Sequence, residues 1–155
     1  MNDFTVRQAR IEDLNTLYRF EQGIIEAERP YNETLRTGHI NYYDLKEMLY
    51  LPYVHVVVAL DGDTIIGSGY ARIESAKPYL QHERHSYLGF MYVEPAYRGK
   101  GVNNLIIEAL KAWTTSRNIF ELRLHVYNDN AAAIRAYEKA GFEKHLLEMR
   151  IGLKK

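Results

Sequence analysis

The chain has 155 residues, 46% of them hydrophobic and 26% charged, with 20 basic and 20 acidic side chains and a formal net charge of zero. That length supports one domain with a sizeable core, and the balanced charge argues against a surface dedicated to nucleic acid or to anionic membrane. There is no cysteine, so disulfides, thiolate nucleophiles and cysteine-ligated zinc are excluded.

Phe4-Thr5-Val6-Arg7-Gln8 alternates apolar and polar residues and reads as a first strand. Leu14, Leu17, Tyr18, Ile24 and Ile25 then recur at helical spacing, which predicts a helix over residues 12–27. Pro30, Asn32 and Gly38 end it, and Asn41 is placed to cap a short second helix carrying Leu45, Met48 and Leu49. Residues 54–60 are β-branched and mostly apolar, Asp61-Gly62-Asp63 is a hairpin turn signal, and residues 64–71 follow as the partner strand. The polar run Gln81-His82-Glu83-Arg84-His85, read as a solvated loop, precedes an apolar, aromatic strand over 87–93. Val102, Leu105, Ile106, Ala109, Leu110 and Trp113 then mark an amphipathic helix with Trp113 in its core stripe. Residues 121–127 alternate as a strand, Asn130 can cap a helix running to 140, and Gly141 can stop it. Residues 142–151 read as a last strand. The order β-α-α-β-β-β-α-β-α-β predicts a mixed central sheet flanked by helices, in the α/β (or α+β) class, as a single domain over 1–155.

Between the strand at 87–93 and the helix that follows lies Arg98-Gly99-Lys100-Gly101. Two glycines permit a tight turn and leave room for a ligand beside backbone N–H groups, while the helix terminus and its dipole favour an anion there. Arg98 and Lys100 add positive charge, a composition suited to a phosphate or pyrophosphate cradle. The nucleoside-triphosphate loop does not fit, because Gly101 stands where a hydroxyl residue is required. The dinucleotide fingerprint fits only partly, since Asn104 takes the place of its third glycine. A bare strand-to-helix connection has the same composition.

Met91-Tyr92-Val93-Glu94-Pro95-Ala96-Tyr97-Arg98-Gly99-Lys100-Gly101-Val102 resembles the acetyl-CoA-binding segment of the GCN5-related N-acetyltransferase (GNAT) superfamily. Asn130-Ala131-Ala132-Ala133-Ile134-Arg135-Ala136-Tyr137-Glu138-Lys139-Ala140-Gly141-Phe142 is similar to that superfamily's N-x-x-A-x-x-x-Y-E-K-x-G-F segment. The two motifs cover residues 87–142, and the N-terminal half matches in layout. The resemblance implies acetyl-CoA as cosubstrate and an amine as acceptor, acetylated by direct attack with no covalent enzyme intermediate. It implies that the strand at Met91, Tyr92 and Val93 splays from its neighbour and pairs with the pantetheine arm. It also implies that Arg98, Gly99, Lys100, Gly101, Val102, Asn103 and Asn104 wrap the pyrophosphate, and that Asn130 contacts the cofactor. Tyr137 matches the tyrosine that protonates the departing thiolate, and a phenol is neutral at pH 7 and able to donate.

The sequence departs from the superfamily in two places. Asn103 stands where glycine or alanine is usual, and Tyr87 stands where some members carry a glutamate base. Other members place that glutamate on the next strand, where this chain has His125, an imidazole of the kind that titrates near neutrality. Glu74 is a further candidate base. Glu26, Glu28, Glu33, Tyr31, Tyr42 and Tyr43 could receive a cationic amine, although Arg29 and Arg36 are interspersed. A catalytically inactive acyl-CoA-binding or sensing module is the alternative function. No metal is expected of His82 and His85. No apolar run approaches the roughly 20 residues that span a bilayer, and Met1-Asn2-Asp3-Phe4 does not read as the basic start of a signal peptide. The expected setting is cytoplasmic, with no nucleic-acid or membrane partner, and a homodimer accords with the resemblance.

Overall fold

In the computed structural model, which describes residues 3–154, five strands form one sheet whose spatial order follows the chain. They are β1 (Phe4–Gln8), β2 (Val54–Asp61), β3 (Thr64–Ser75), β4 (Arg84–Val93) and β5 (Leu122–Arg123). The first four are antiparallel neighbours, and β5 runs parallel to β4. The sheet is therefore mixed, as the hairpin signal at Asp61-Gly62-Asp63 requires. The chain divides between His125 and Val126 into two compact units, and the sheet belongs to the first.

One face of the sheet receives α1 (Leu14–Glu28) and the single-turn α2 (Leu45–Met48). Val54, Val56, Val58 and Leu60 alternate onto that face and join Leu17, Phe20, Ile24, Leu45 and Met48 in a buried cluster, as a period of two against a period of 3.6 dictates. The other face receives α3 (Val102–Ser116). Here β3 has no side chain at Gly69, where a Cβ would come within 2.7 Å of Ile106 Cγ2; the helix can approach only because that position is bare.

Several expectations are corrected. The cap of α2 is Asp44, whose carboxylate accepts from the Glu47 amide at 3.1 Å, and Asn41 is exposed. The α3 stripe is rotated: Val102, Ile106, Ile107, Leu110 and Thr114 are buried, while Leu105 is 39% exposed. Thr114 is admitted because its hydroxyl meets Ser86 Oγ at 2.9 Å, so neither buried oxygen is left unpaired. Trp113 is half-buried rather than core, stacked on His55 with ring centroids 5.1 Å apart. β3 and β4 extend further toward their connecting loop than expected, and His85 lies within β4.

The strand expected over 121–127 is reduced to Leu122–Arg123, because pairing with β4 ends there. In the second unit, α4 (Ala131–Lys139) forms as expected, with Asn130 Oδ1 accepting from the Ala133 amide at 3.2 Å and Gly141 at φ +103°. Residues 142–154 form no strand among the described residues. An extended segment becomes a strand only through a hydrogen-bonded neighbour, and α4 supplies none.

Candidate active site

At the end of β4 the Glu94 amide donates to the Ile66 carbonyl at 2.8 Å, and a 3-10 turn over Pro95–Tyr97 carries the chain toward α3. The turn is anchored by the Tyr97 hydroxyl, which donates to Asp61 at 2.8 Å, and by Arg98 Nε, which donates to the Val93 carbonyl at 3.1 Å. Gly99 and Gly101 then take φ values of +76° and +84°, a region that costs L side chains about 1–2 kcal/mol. A Cβ at either glycine would meet nothing within 4 Å, so the space in front of the turn is open. The first intrahelical bond of α3 runs from the Leu105 amide to the Gly101 carbonyl at 3.2 Å. The amides of Val102, Asn103 and Asn104 precede it, at the positive end of the helix. Val102 is buried, Asn103 half-buried and Asn104 exposed.

Upstream of this turn β4 is irregular. Tyr70 pairs with Gly89 and Ser68 with Tyr92, so Gly69 alone faces both Phe90 and Met91. This is a β-bulge, with Phe90 at φ +56°. Ser68 Oγ donates to the Phe90 carbonyl at 2.9 Å and holds the bulge from the neighbouring strand. On the opposite edge, the ladder to β5 contains only Ser86↔Leu122 and Tyr87↔Arg123. From Leu88 to Val93, β4 runs on beyond that ladder, and the segment includes the bulge.

On the part of the sheet that precedes this segment lies a cleft of about 770 Å³, lined from β3, β4 and the β5 end by Tyr70, Arg72, Glu74, His85, Tyr87, Arg123 and His125, among others. Arg72 Nε and Nη2 donate to one oxygen of Glu74 at 3.0 and 2.7 Å, and His85 Nε2 lies 3.4 Å from the other. The His85 side chain is 13% exposed, and its Nδ1 is buried without a hydrogen-bond partner among the described residues. Burial pushes the Tyr70 phenol up to about 12, and it raises Tyr87 against the opposing pull of Arg72. Both phenols are therefore neutral donors at physiological pH. The Tyr87 and His125 rings meet edge-on at 5.2 Å.

The Acetyltransferase (GNAT) family profile matches residues 12–142. The chain belongs to the GNAT acetyltransferase family. It is 27% identical over 147 residues to an N-alpha-acetyltransferase of Saccharolobus solfataricus, covering 92% of this chain and 81% of that one. It is 30% identical over 94 residues to an aminoglycoside N(6')-acetyltransferase type 1 of Stenotrophomonas maltophilia, covering 59% of this chain and 60% of that one. Among solved structures, a tetramutant of the BH1408 protein of Bacillus halodurans superposes with a TM-score of 0.86 at 21% identity, covering 96% of this chain and 99% of that one. A predicted acetyltransferase with acetyl-CoA from Clostridium acetobutylicum gives a TM-score of 0.73 at 19% identity, covering 97% of this chain and 96% of that one. These structural likenesses establish the GNAT fold, and GNAT enzymes use acetyl-CoA.

Within that fold, Met91, Tyr92, Val93, Arg98, Gly99, Lys100, Gly101, Val102, Asn103 and Asn104 lie consecutively along the end of β4, the turn and the first turn of α3. Arg98 turns back onto the end of β4 rather than outward, and Lys100 lies over the Tyr97 ring at 5.5 Å. His125 lines the cleft and is exposed, not packed into a sheet face. Asn130 and Tyr137 belong to the second unit, where the Tyr137 ring meets Phe142 edge-on at 5.8 Å. Of the acidic residues expected to receive the acceptor, Glu26 pairs with Arg29 at 2.9 Å, and Glu28 is held above the usual carboxylate range by burial. Tyr43 is drawn into the buried cluster beneath α1. Glu74, expected as a base, is occupied by Arg72. The sequence reading missed Tyr70, Arg72 and the mostly buried position of His85. The signal was the alternation Tyr70-x-Arg72-x-Glu74 and His85-x-Tyr87, which sets all five on one sheet face.

Proposed function

We propose that this chain is an acetyl-CoA-dependent N-acetyltransferase that moves the acetyl group to a primary amine by direct attack. The observation that carries the reading is the continuity between the open double-glycine turn at the start of α3 and the edge of β4 that extends past its β5 ladder. Bound acetyl-CoA supplies the thioester from which the amine takes the acetyl group, with coenzyme A departing as a thiolate. Gly99 to Asn104 hold its pyrophosphate through backbone amides and the helix terminus. The β4 edge at Met91, Tyr92 and Val93 offers backbone groups to the pantetheine arm and a fixed N–H to the carbonyl as negative charge develops there. His125 takes the proton that the amine nitrogen loses as it attacks, and the motif match gives Tyr137 the delivery of a proton to the leaving sulfur and Asn130 a contact with the cofactor. The cleft beside Tyr87 and His125 admits the acceptor.

Thermal unfolding with and without acetyl-CoA tests the reading, with NAD as control. A ligand at about 100 times its dissociation constant stabilises by about 2.7 kcal/mol, a rise of several degrees for a domain of this size. A shift with acetyl-CoA alone, followed by release of free coenzyme A when amines are added, is the expected result. A shift without turnover of any amine identifies an inactive acyl-CoA-binding module, the outcome to which the half-buried Asn103 would contribute by crowding the turn. No shift at millimolar acetyl-CoA overturns both.

A further inference from the structure

From the charges that line the cleft, we infer that its acceptor is a primary amine carrying an anionic group, a carboxylate or a phosphate, at its other end. The inference rests on the N-acetyltransferase reading and deepens it. Three cationic side chains line the cleft, Arg72, Lys77 and Arg123, against a single carboxylate, Glu74. That carboxylate is already engaged: Arg72 donates to one oxygen twice, at 3.0 and 2.7 Å, and His85 stands 3.4 Å from the other. Among the lining residues an incoming ammonium has no free carboxylate to meet; Glu28, outside the lining, is the carboxylate whose charge reaches Tyr87 at the end assigned to the amine. Arg123 is balanced by Glu121 at 3.2 Å, a residue outside the cleft lining. Lys77 lines the cleft and makes no ion pair among the described residues.

The direction of β4 orients the ligand. Lys77 lies in the loop that feeds the start of β4, whereas Tyr87 leads toward the bulge at Phe90 and the extended strand edge. The anionic end is therefore assigned to the loop end of the cleft, against Lys77, and the amine to the end beside Tyr87. A lysine ammonium is a compact point charge that serves carboxylate and phosphate alike. A polyamine or polycationic sugar meets like charge at the same place, which disfavours it.

The test uses the full chain, acetyl-CoA and acceptor pairs that differ only in the anionic group: phosphoethanolamine against ethanolamine, and β-alanine against β-alaninamide, with spermidine as the polycation. The anionic member of at least one pair is expected to show kcat/KM about tenfold or more above its neutral partner, the size of one charge-assisted hydrogen bond. The phosphate and carboxylate pairs decide between the two sources of charge. Lys77→Gln is expected to raise KM for the anionic member and bring its advantage down toward one. Calorimetry with the same pairs, on the protein with and without acetyl-CoA, decides the matter even if no panel member turns over: anionic members must bind more tightly than neutral ones. Equal or better use of the neutral members or of spermidine overturns the inference, as does an advantage that survives Lys77→Gln. If acetyl-CoA binds while a neutral amine is preferred, only this inference fails; if acetyl-CoA does not bind, the transferase reading fails, and the calorimetric comparison still judges the cleft.

Discussion

The Tyr43 ring stands edge-on to the Phe90 ring with centroids 5.4 Å apart, so the segment between α1 and α2 rests on the bulged residue of β4. The segment is fixed from behind by Glu21, a buried carboxylate that accepts from the amides of both Tyr42 and Tyr43 at 2.8 Å. Replacing it by Gln leaves a neutral acceptor in a place built for a charged one. Glu21→Ala leaves two half-buried amides without this partner and is expected to cost about 2–6 kcal/mol, at about 1–3 kcal/mol for each donor left unpaired. Urea unfolding measures this directly, and a loss under 0.5 kcal/mol, the size of an ordinary surface change, contradicts the assignment.

Gly101→Val places a branched side chain at φ +84°, in the open space before the turn. It is expected to lower the melting temperature by a few degrees, as strain of about 1–2 kcal/mol implies, and to remove the stabilisation by acetyl-CoA altogether. Ligand-induced shifts of wild type and variant, compared in one experiment, separate the two effects. A variant still stabilised by acetyl-CoA shows that the pyrophosphate does not sit there.

Tyr137→Phe removes one hydroxyl and leaves the ring against Phe142. If that hydroxyl protonates the leaving thiolate, kcat falls by about 10²-fold or more, the usual contribution of a positioned acid, while acetyl-CoA affinity stays within a few-fold. Turnover unchanged under conditions where chemistry limits the rate excludes the role.

His55 gives the first unit a pH-dependent element away from the cleft. Burial, aided by the nearby Arg117, holds its imidazole below the ordinary 6.5. The folded state thus favours the neutral ring. This contribution to stability is fully present above the unfolded value and is lost as pH falls through the lower folded value. His55→Phe keeps a flat ring on Trp113 and removes the titration. Wild type should therefore lose more stability than the variant on going from about pH 7 to about pH 5; equal losses rule out His55 as the source.

The elements that were legible from sequence are those fixed by local rules. The hairpin at Asp61-Gly62-Asp63, the Asn130 cap and the glycine turn before α3 each depend on residues within one or two turns of themselves, whereas Phe4–Gln8 was legible from its alternation although its strand is completed by β2. What was not legible depends on partners distant in sequence. Leu105 and Ile107 fit neighbouring helical stripes, and only the sheet they meet decides which is buried. The tyrosines and charges of the cleft come from β3, β4 and β5, so the pairing register had to be known before Arg72, Glu74, His85 and Tyr87 could be seen as neighbours. The bulge at Phe90 has no sequence signature, since it places an aromatic residue where glycine or asparagine would be expected.

The placement of α3 bears on how a newly made chain must behave. By Val93 the four antiparallel strands and both N-terminal helices have been synthesised, but the sheet face bared at Gly69 has nothing to cover it until Val102–Ser116 emerges. At a synthesis rate of about 5–20 residues per second, that interval lasts from about one second to several. During it the nascent protein presents an apolar sheet surface with the appetite of a chaperone substrate, and a ribosome stalled between β4 and α3 holds it in that state.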